Sequence, residues 1–429
     1  MKKNVALSIA AVTSGVAMAK PIINEVTTPQ EIGQISEFFQ EKGNRVQIQF
    51  PLPQSTFAWQ NMSRFFPTAQ ISRDGQVYEF PYALNDEISN ITAKVHGRNL
   101  SLDEHLDHYP VDGFLVVKKG EIVFERYNTM RKTDKHNWFS NGKITSGIEL
   151  ANLVATGKVD PQAPVSKYIP ELKGSDWDTV TVYDTANMAT GLNASEHDEP
   201  NDDSRTNPDQ PWFKWAATIG LFDNEAINHE MPLDVIAQMH RRAPAGEKFE
   251  YNSINTFVVS RIVENVMNQP MNEVVSQHMW QYMGANNDGF VAVSPHGGYS
   301  LHFFSMNSTL EDMAKYGMML TPSAPKLAGH KGVDPEVIKL IQNSGNPNAY
   351  DKGFVGQKLS RSFYDDSGIR NAFQFDAIFE DGDLFKSGVG GQGLYISPSK
   401  DLVVAFFSSG DGNNQEESYA RQIAKYFDK

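Results

Sequence analysis

The chain has 429 residues, 40% of them hydrophobic, and a formal net charge of −14, which is enough to bury a sizeable core in two or three domains or in one domain with a large insertion. The acidic balance and the lack of any dense Lys/Arg run exclude a nucleic-acid partner, which needs a basic footprint. With no cysteine anywhere, disulfides, thiolate metal sites and a cysteine nucleophile are excluded too.

Residues 1–19, MKKNVALSIAAVTSGVAMA, combine two lysines, a short apolar run and a small-x-small ending at Ala17-Met18-Ala19. This is the pattern of a secretory signal peptide cut after Ala19, which predicts a periplasmic or secreted protein. The run is too short to span a bilayer, and no later segment is apolar enough to insert stably. Residues 20–110 form an N-terminal arm in which polar loops alternate with aromatic clusters such as Phe57-Ala58-Trp59 and Phe65-Phe66-Pro67. Its expected role is packing. At the end of the arm His105 and His108 have HxxH spacing, but with no convergent carboxylate motif they read as exposed histidines and not as a metal site.

Residues 112–127, DGFLVVKKGEIVFERY, place a Lys-Gly turn between two apolar runs, a β-hairpin signal. The next stretch, residues 138–157, carries Ser140 and Lys143 at the start of an expected helix. Side chains three apart on a helix lie about 5–6 Å apart between Cβ atoms, so the amine can reach the hydroxyl. Ile144, Ile148, Ala151, Val154 and Ala155 follow at the helical period, which predicts one buried face, and Gly157 supplies the stop. An isolated SxxK quartet is most simply a surface serine and a solvated lysine. Its partners downstream decide its meaning.

Residues 158–350 read as helical fragments between polar loops, the longest being 193–210. Glu196, Asp198 and Glu199 in that loop read most simply as a solvated acidic stretch; the lesser alternative, because the loop follows Met188-Ala189-Thr190-Gly191, is that it borders the site. Residues 234–240 and 256–267 carry helical patterning, and Ser308-Thr309-Leu310-Glu311 reads as a capping box opening a helix through Met313 to Met319, whose Met and aromatic residues belong to a core. From Lys386 strands return, in GLYISP and LVVAFFSSG, before a last helix over residues 416–427. Strands at both ends with helices between predict a discontinuous α/β domain, about 111–157 and 355–429, carrying an all-helical insertion over about 158–354. Gly388 to Gly393 match the dinucleotide pattern GxGxxG, but lead into a strand where a helix is required, so a Rossmann site is rejected.

Three pieces then fall in order: Ser140 with Lys143, Tyr251-Asn252-Ser253 after a Pro244-Ala245-Gly246 turn, and Lys386-Ser387-Gly388. This ordered set resembles that of the serine β-lactamase and penicillin-binding-protein superfamily in its class C-like branch. Within it the chain is most similar to the 6-aminohexanoate-dimer hydrolases and related esterases, through DGFLVVKKGEIVFERY, GKVDPQAPVSKYIPEL, TVTVYDTANMATGL, PAGEKFEYNS, STLEDMAKYG and KSGVGGQGLYISPSKDLVVAFFS. The resemblance implies an antiparallel sheet flanked by helices, a small-molecule ester or amide substrate, and no metal or other cofactor. It further implies that Ser140 is acylated, that Lys143 takes its proton, and that Tyr251 relays a proton to the leaving group. Lys386, Ser387 and Gly388 would shape the substrate site, with backbone N–H groups of Ser140 and Val389 as the oxyanion hole.

Physical chemistry supports these roles. Burial, a helix N-terminus and a second cation at Lys386 all favour a neutral Lys143, and the same cations favour tyrosinate at Tyr251. Three features depart from the family pattern. Ile144 stands where Ser or Thr is usual, Gly142 costs about 1 kcal/mol of helix propensity, and Ser253 replaces an asparagine that helps hold β-lactam amides. The expectation is an exported serine hydrolase of esters or amides. The alternatives are a β-lactamase or D-Ala-D-Ala carboxypeptidase, and a catalytically silent binding protein, in which Ser140, Lys143 and Tyr251 would fail to converge.

Overall fold

The computed structural model describes residues 28–41, 43–222, 229–329 and 331–428; the expected signal peptide lies outside them. A seven-stranded antiparallel sheet is made of β1 (Val111–Lys118), β2 (Glu121–Tyr127), β3 (Arg370–Ala372), β4 (Phe375–Ile378), β5 (Leu384–Gly388), β6 (Gln392–Ser397) and β7 (Leu402–Ser408). Their order in space is β2-β1-β7-β6-β5-β4-β3, so the two ends of the α/β domain meet where β1 pairs with β7, Leu115 opposite Ala405 and Val117 opposite Val403.

Alternation along β1 explains why both ends are so apolar. Leu115 and Val117 point into one core, while Phe114 and Val116 point into another. A strand covered on both faces must be apolar at every position. The second face is covered by the C-terminal helix, Glu416–Tyr426, through Tyr419, Ala420, Ile423 and Ala424. The first is covered by the central helix Lys143–Ala155 and the helix Leu310–Met318, and each fully buried Leu, Ile or Val there contributes about 1.5–3 kcal/mol.

The β1–β2 hairpin, the sheet and the C-terminal helix appear where the sequence placed them, and residues 313–320 are core as expected. Several details differ. The strands β3 and β4 precede the region where strands were expected to return. The insertion was expected to be all-helical; among the described residues helices are its main regular structure, but long loops separate them and it also holds two short strands, Gly289–Ala292 and Asn307–Ser308. These join Thr68–Ile71 of the arm to His136–Asn137 in a four-stranded sheet. The central helix was expected to bury one face. It is buried nearly all round from Lys143 to Ala151, while Ala155 is exposed. It ends as expected at Gly157, with φ of +71° and the Lys158 N–H bonded to the Leu153 carbonyl. The cap of the Leu310–Met318 helix lies one residue later than the capping box suggested. Thr309, and not Ser308, accepts from Asp312 N–H, because Ser308 is held in a strand.

Candidate active site

Two elements deliver the serine and the lysine. The α-helix starts at Lys143 and not at Ser140; Phe139–Gly142 form a 3-10 turn ahead of it. Phe139 has φ of +48°, a region that costs a bulky side chain about 1–3 kcal/mol and recurs where a residue must be presented. Its surroundings hold it there. Trp138 N–H bonds Met306 O at 2.7 Å, the Trp138 indole bonds Ser308 Oγ at 2.8 Å, and the Phe139 ring packs edge-on against Trp59 at 5.0 Å. Two glycines allow close approach at this point. A Cβ on Gly142 would lie 2.1 Å from the His302 carbonyl oxygen, and one on Gly388 would lie 2.7 Å from that of Trp138. Gly142 lies in the turn ahead of the α-helix, so the helix-propensity cost expected for it does not arise, and its lack of a Cβ permits this contact.

The lysine amine converges with the serine. Lys143 Nζ donates to Ser140 Oγ at 3.2 Å, to Ser253 Oγ at 2.9 Å and to the Phe303 carbonyl at 2.8 Å. The residue is fully buried, and burial pushes its pKa down to about 7; Lys386 pushes the same way, while Glu196 and Asp376 oppose. An amine at that value is about half neutral at pH 7, and so available as a base.

Tyr251 stands in extended chain just before the Ser253–Met267 helix, whose N-terminus is capped by Asn252 through Ile254 N–H at 2.9 Å. Its phenol is within hydrogen-bonding reach of Ser140 and accepts from Lys386 Nζ at 3.2 Å. Both amines also lie over its ring, Lys143 at 5.3 Å and Lys386 at 4.9 Å from the centroid. The expectation of tyrosinate is nevertheless overturned. Burial, with the Asp376 and Glu196 carboxylates, raises the Tyr251 pKa well above its usual value, so the phenol keeps its proton.

Lys386, on β5, is fully buried, and Asp376 on the adjacent strand takes its ammonium at 2.6 Å. The other oxygen of Asp376 accepts from Ser387 N–H at 3.0 Å and Ser387 Oγ at 2.6 Å. Burial lowers the Lys386 pKa and Asp376 resists that fall. Ser387, Gly388 and Val389 line the cleft together with Ser140 and Tyr251. Neither Ser140 N–H nor Val389 N–H has an acceptor among the described residues.

Sequence reasoning missed Asp376 and misread Glu196. The 196–199 segment is not a solvated acidic stretch. Glu196 and Glu199 are buried, Asp198 pairs with Lys248 at 2.8 Å, and Glu199 with Arg242 at 2.6 Å. Glu196 lines the cleft, and its Oε1 accepts Ser253 N–H at 2.6 Å. Burial pushes its carboxyl up, but Lys143, His197 and Ser253 together hold it below its usual range. Among the rejected patterns, Gly388 to Gly393 join β5 to β6 with no helix. His105 is not exposed as expected, since it is stacked between Tyr109 at 4.5 Å and Tyr419 at 4.7 Å, while His108 is exposed.

Among the described residues no group of three or more His, Cys, Asp or Glu side chains is placed to hold a metal ion, and no helix is long and apolar enough to cross a membrane.

Comparison with known proteins bears on the family and the fold. A family model described as Beta-lactamase matches residues 101–427. The 6-aminohexanoate-dimer hydrolase of Paenarthrobacter ureafaciens is 24% identical over 360 residues, covering 83% of this chain and 86% of that protein. Among solved structures, a Bacillus anthracis protein assigned as a 6-aminohexanoate-dimer hydrolase superposes with a TM-score of 0.71 at 22% identity, covering 87% of this chain and 94% of that one. EstCE1, a hydrolase with promiscuous acyltransferase activity, superposes with a TM-score of 0.56 at 15% identity, covering 76% and 96%.

Proposed function

Given that the chain belongs to the beta-lactamase family, we propose that it is a serine hydrolase that cleaves an ester or amide through an acyl-enzyme on Ser140. One observation carries the reading: the Lys143 amine, with its pKa brought down to about 7, lies 3.2 Å from Ser140 Oγ inside a buried cluster. A neutral amine at that distance takes the hydroxyl proton as Ser140 attacks the substrate carbonyl. The oxyanion that forms is met by Ser140 N–H and Val389 N–H, each such donor being worth about 2.7–4 kcal/mol in the transition state. Tyr251, kept protonated by burial and held in place by Lys386, delivers its proton to the departing oxygen or nitrogen, and the proton that Lys143 took from Ser140 passes on to Tyr251, which leaves the amine neutral again. Water then attacks the acyl-enzyme with Lys143 taking its proton, and that proton goes to Ser140 Oγ as the bond between Oγ and the acyl carbon breaks.

Convergence of Ser140, Lys143 and Tyr251 argues against a silent binding protein on this fold. Ser253 turns its hydroxyl to Lys143 at 2.9 Å, which assigns it to orienting the base and supports esters and simple amides over β-lactams. Export is part of the proposal and rests on residues 1–19; N-terminal sequencing of the protein recovered from the periplasm or medium should begin at Lys20. The central test is covalent. A fluorophosphonate probe should label the protein on Ser140, and the Ser140→Ala variant should lose both labelling and turnover of p-nitrophenyl esters. Undiminished labelling of that variant would overturn the mechanism.

A further inference from the structure

The space around Ser140 has two chambers, and the N-terminal arm walls both. The Arg45–Gln49 turn and the two residues after it run along the cleft opposite the sheet. In the inner chamber, about 50 Å³, Ser140 faces Ile48, Trp212, Leu221, Phe303 and Phe304, with Arg45, Glu196 and Arg205 also lining it. The outer chamber, about 290 Å³, passes Tyr251, Ser387 and Gly388 and opens between Phe50 and Phe354. These two rings are 38% and 45% exposed, so an apolar rim is held open to solvent at the mouth of the site.

Tyr251 lines the outer chamber and not the inner one. The group that hands a proton to the leaving atom must face it. The leaving group therefore occupies the outer chamber, and the acyl half, which stays on Ser140 after the first step, occupies the inner one. This assignment rests on the acyl-enzyme reading above.

The geometry points to residues 45–51 as the specificity wall of the enzyme, with Ile48 closing the inner chamber around a short apolar acyl group and Phe50 rimming the leaving-group side. The wall is braced. Ile48 is buried, its carbonyl accepts the Trp59 indole N–H at 2.6 Å, and Trp59 packs on Phe139 beside the nucleophile. It also lies outside residues 101–427, the part that matches the family model. Part of the wall that meets the acyl group thus belongs to a segment separate from the catalytic motifs, and can change without touching them.

The experiment is a chain-length profile. kcat/KM is measured for p-nitrophenyl acetate, butyrate, hexanoate and octanoate with the wild type, Ile48→Ala and Phe50→Ala, with Ser140→Ala as the blank. The wild type should favour short acyl groups, losing about tenfold for each increment the pocket fails to hold. Ile48→Ala removes the wall but keeps the carbonyl that Trp59 needs, and should move the optimum to longer chains. Phe50→Ala should keep the acyl optimum and change discrimination between p-nitrophenyl and vinyl butyrate. A parallel profile for Ile48→Ala, with near-UV circular dichroism unchanged, overturns the proposal. Should that variant not fold, Ile48→Val is read in the same way: a smaller shift in the same direction supports the wall, and none overturns it. No turnover and no probe labelling of the wild type would instead refute the hydrolase reading itself.

Discussion

Lys143 and Lys400 are both buried lysines, and their surroundings drive them in opposite directions. Around Lys143 the hydrogen-bond partners are neutral oxygens, from Ser140, Ser253 and Phe303, and burial takes the pKa down to about 7. Around Lys400, at the far end of the sheet, burial also lowers the pKa, but Asp383 at 3.2 Å and Asp381 at 3.0 Å outweigh it and the pKa rises. Arg421 binds the same two carboxylates at 3.1 and 2.9 Å and adds Asp366 at 2.6 Å. Burial alone therefore does not make a base. What separates a proton acceptor from a fixed cation is whether a carboxylate sits in direct contact. Lys386 shows the intermediate case: burial lowers its pKa, its contact with Asp376 resists that fall, and its charge pushes Lys143 toward the neutral form.

The largest expected effect separates the two regions by function. Lys143→Met should lower kcat/KM by about 10⁴-fold, the upper range for a general base, while leaving the fold intact. Lys400→Met should do the reverse. Removing one partner of a buried cluster costs up to about 3–5 kcal/mol, and less here because Arg421 still binds Asp381 and Asp383. Urea unfolding should show that loss, while kcat/KM of the folded fraction stays at the wild-type level. Equal losses of activity from both variants would collapse the distinction.

The comparison also shows what the sequence makes visible. Ser140, Lys143, Tyr251 and Lys386 were readable because each sits in a short motif whose residue types and order belong to one chemistry. The hairpin and the strands β6 and β7 were readable because a sheet buried on both faces leaves continuous apolar runs. Asp376 and Glu196 were not. Their importance comes from contacts across 10 and 57 residues of chain, to Lys386 and to Ser253 N–H, and no local pattern records them. A lone aspartate inside the apolar run Phe375-Asp376-Ala377-Ile378 was the one available hint, since a buried carboxylate requires a partner. The charge of Tyr251 was misjudged for a related reason: the two cations were in sequence motifs, while the carboxylates that oppose them were not. The arm looked like packing because its cleft-facing residues, Ile48 and Phe50, are ordinary apolar side chains whose role depends on where the Arg45–Gln49 turn lies.

The finest test asks whether a carboxylate near Lys143, but not bonded to it, tunes the base. Glu196 is ionised and acts on Lys143 through space, favouring the ammonium and so raising its pKa. Activity requires the neutral amine, so kcat/KM should climb as pH rises through the Lys143 pKa, giving an acid limb near the value of about 7. In Glu196→Gln the negative charge is gone, the ammonium is less favoured, and the limb should move to lower pH. Glutamine keeps an oxygen for Ser253 N–H, the bond of 2.6 Å that ties the loop to the helix start, so geometry is preserved while charge is removed. At a pH well above the limb, the variant and the wild type should differ far less than on the limb itself. A limb that stays in place, or moves to higher pH, would mean that Glu196 acts only by holding Ser253. The tuning of Lys143 would then rest on burial and Lys386 alone, which would sharpen the contrast with Lys400 instead of erasing it.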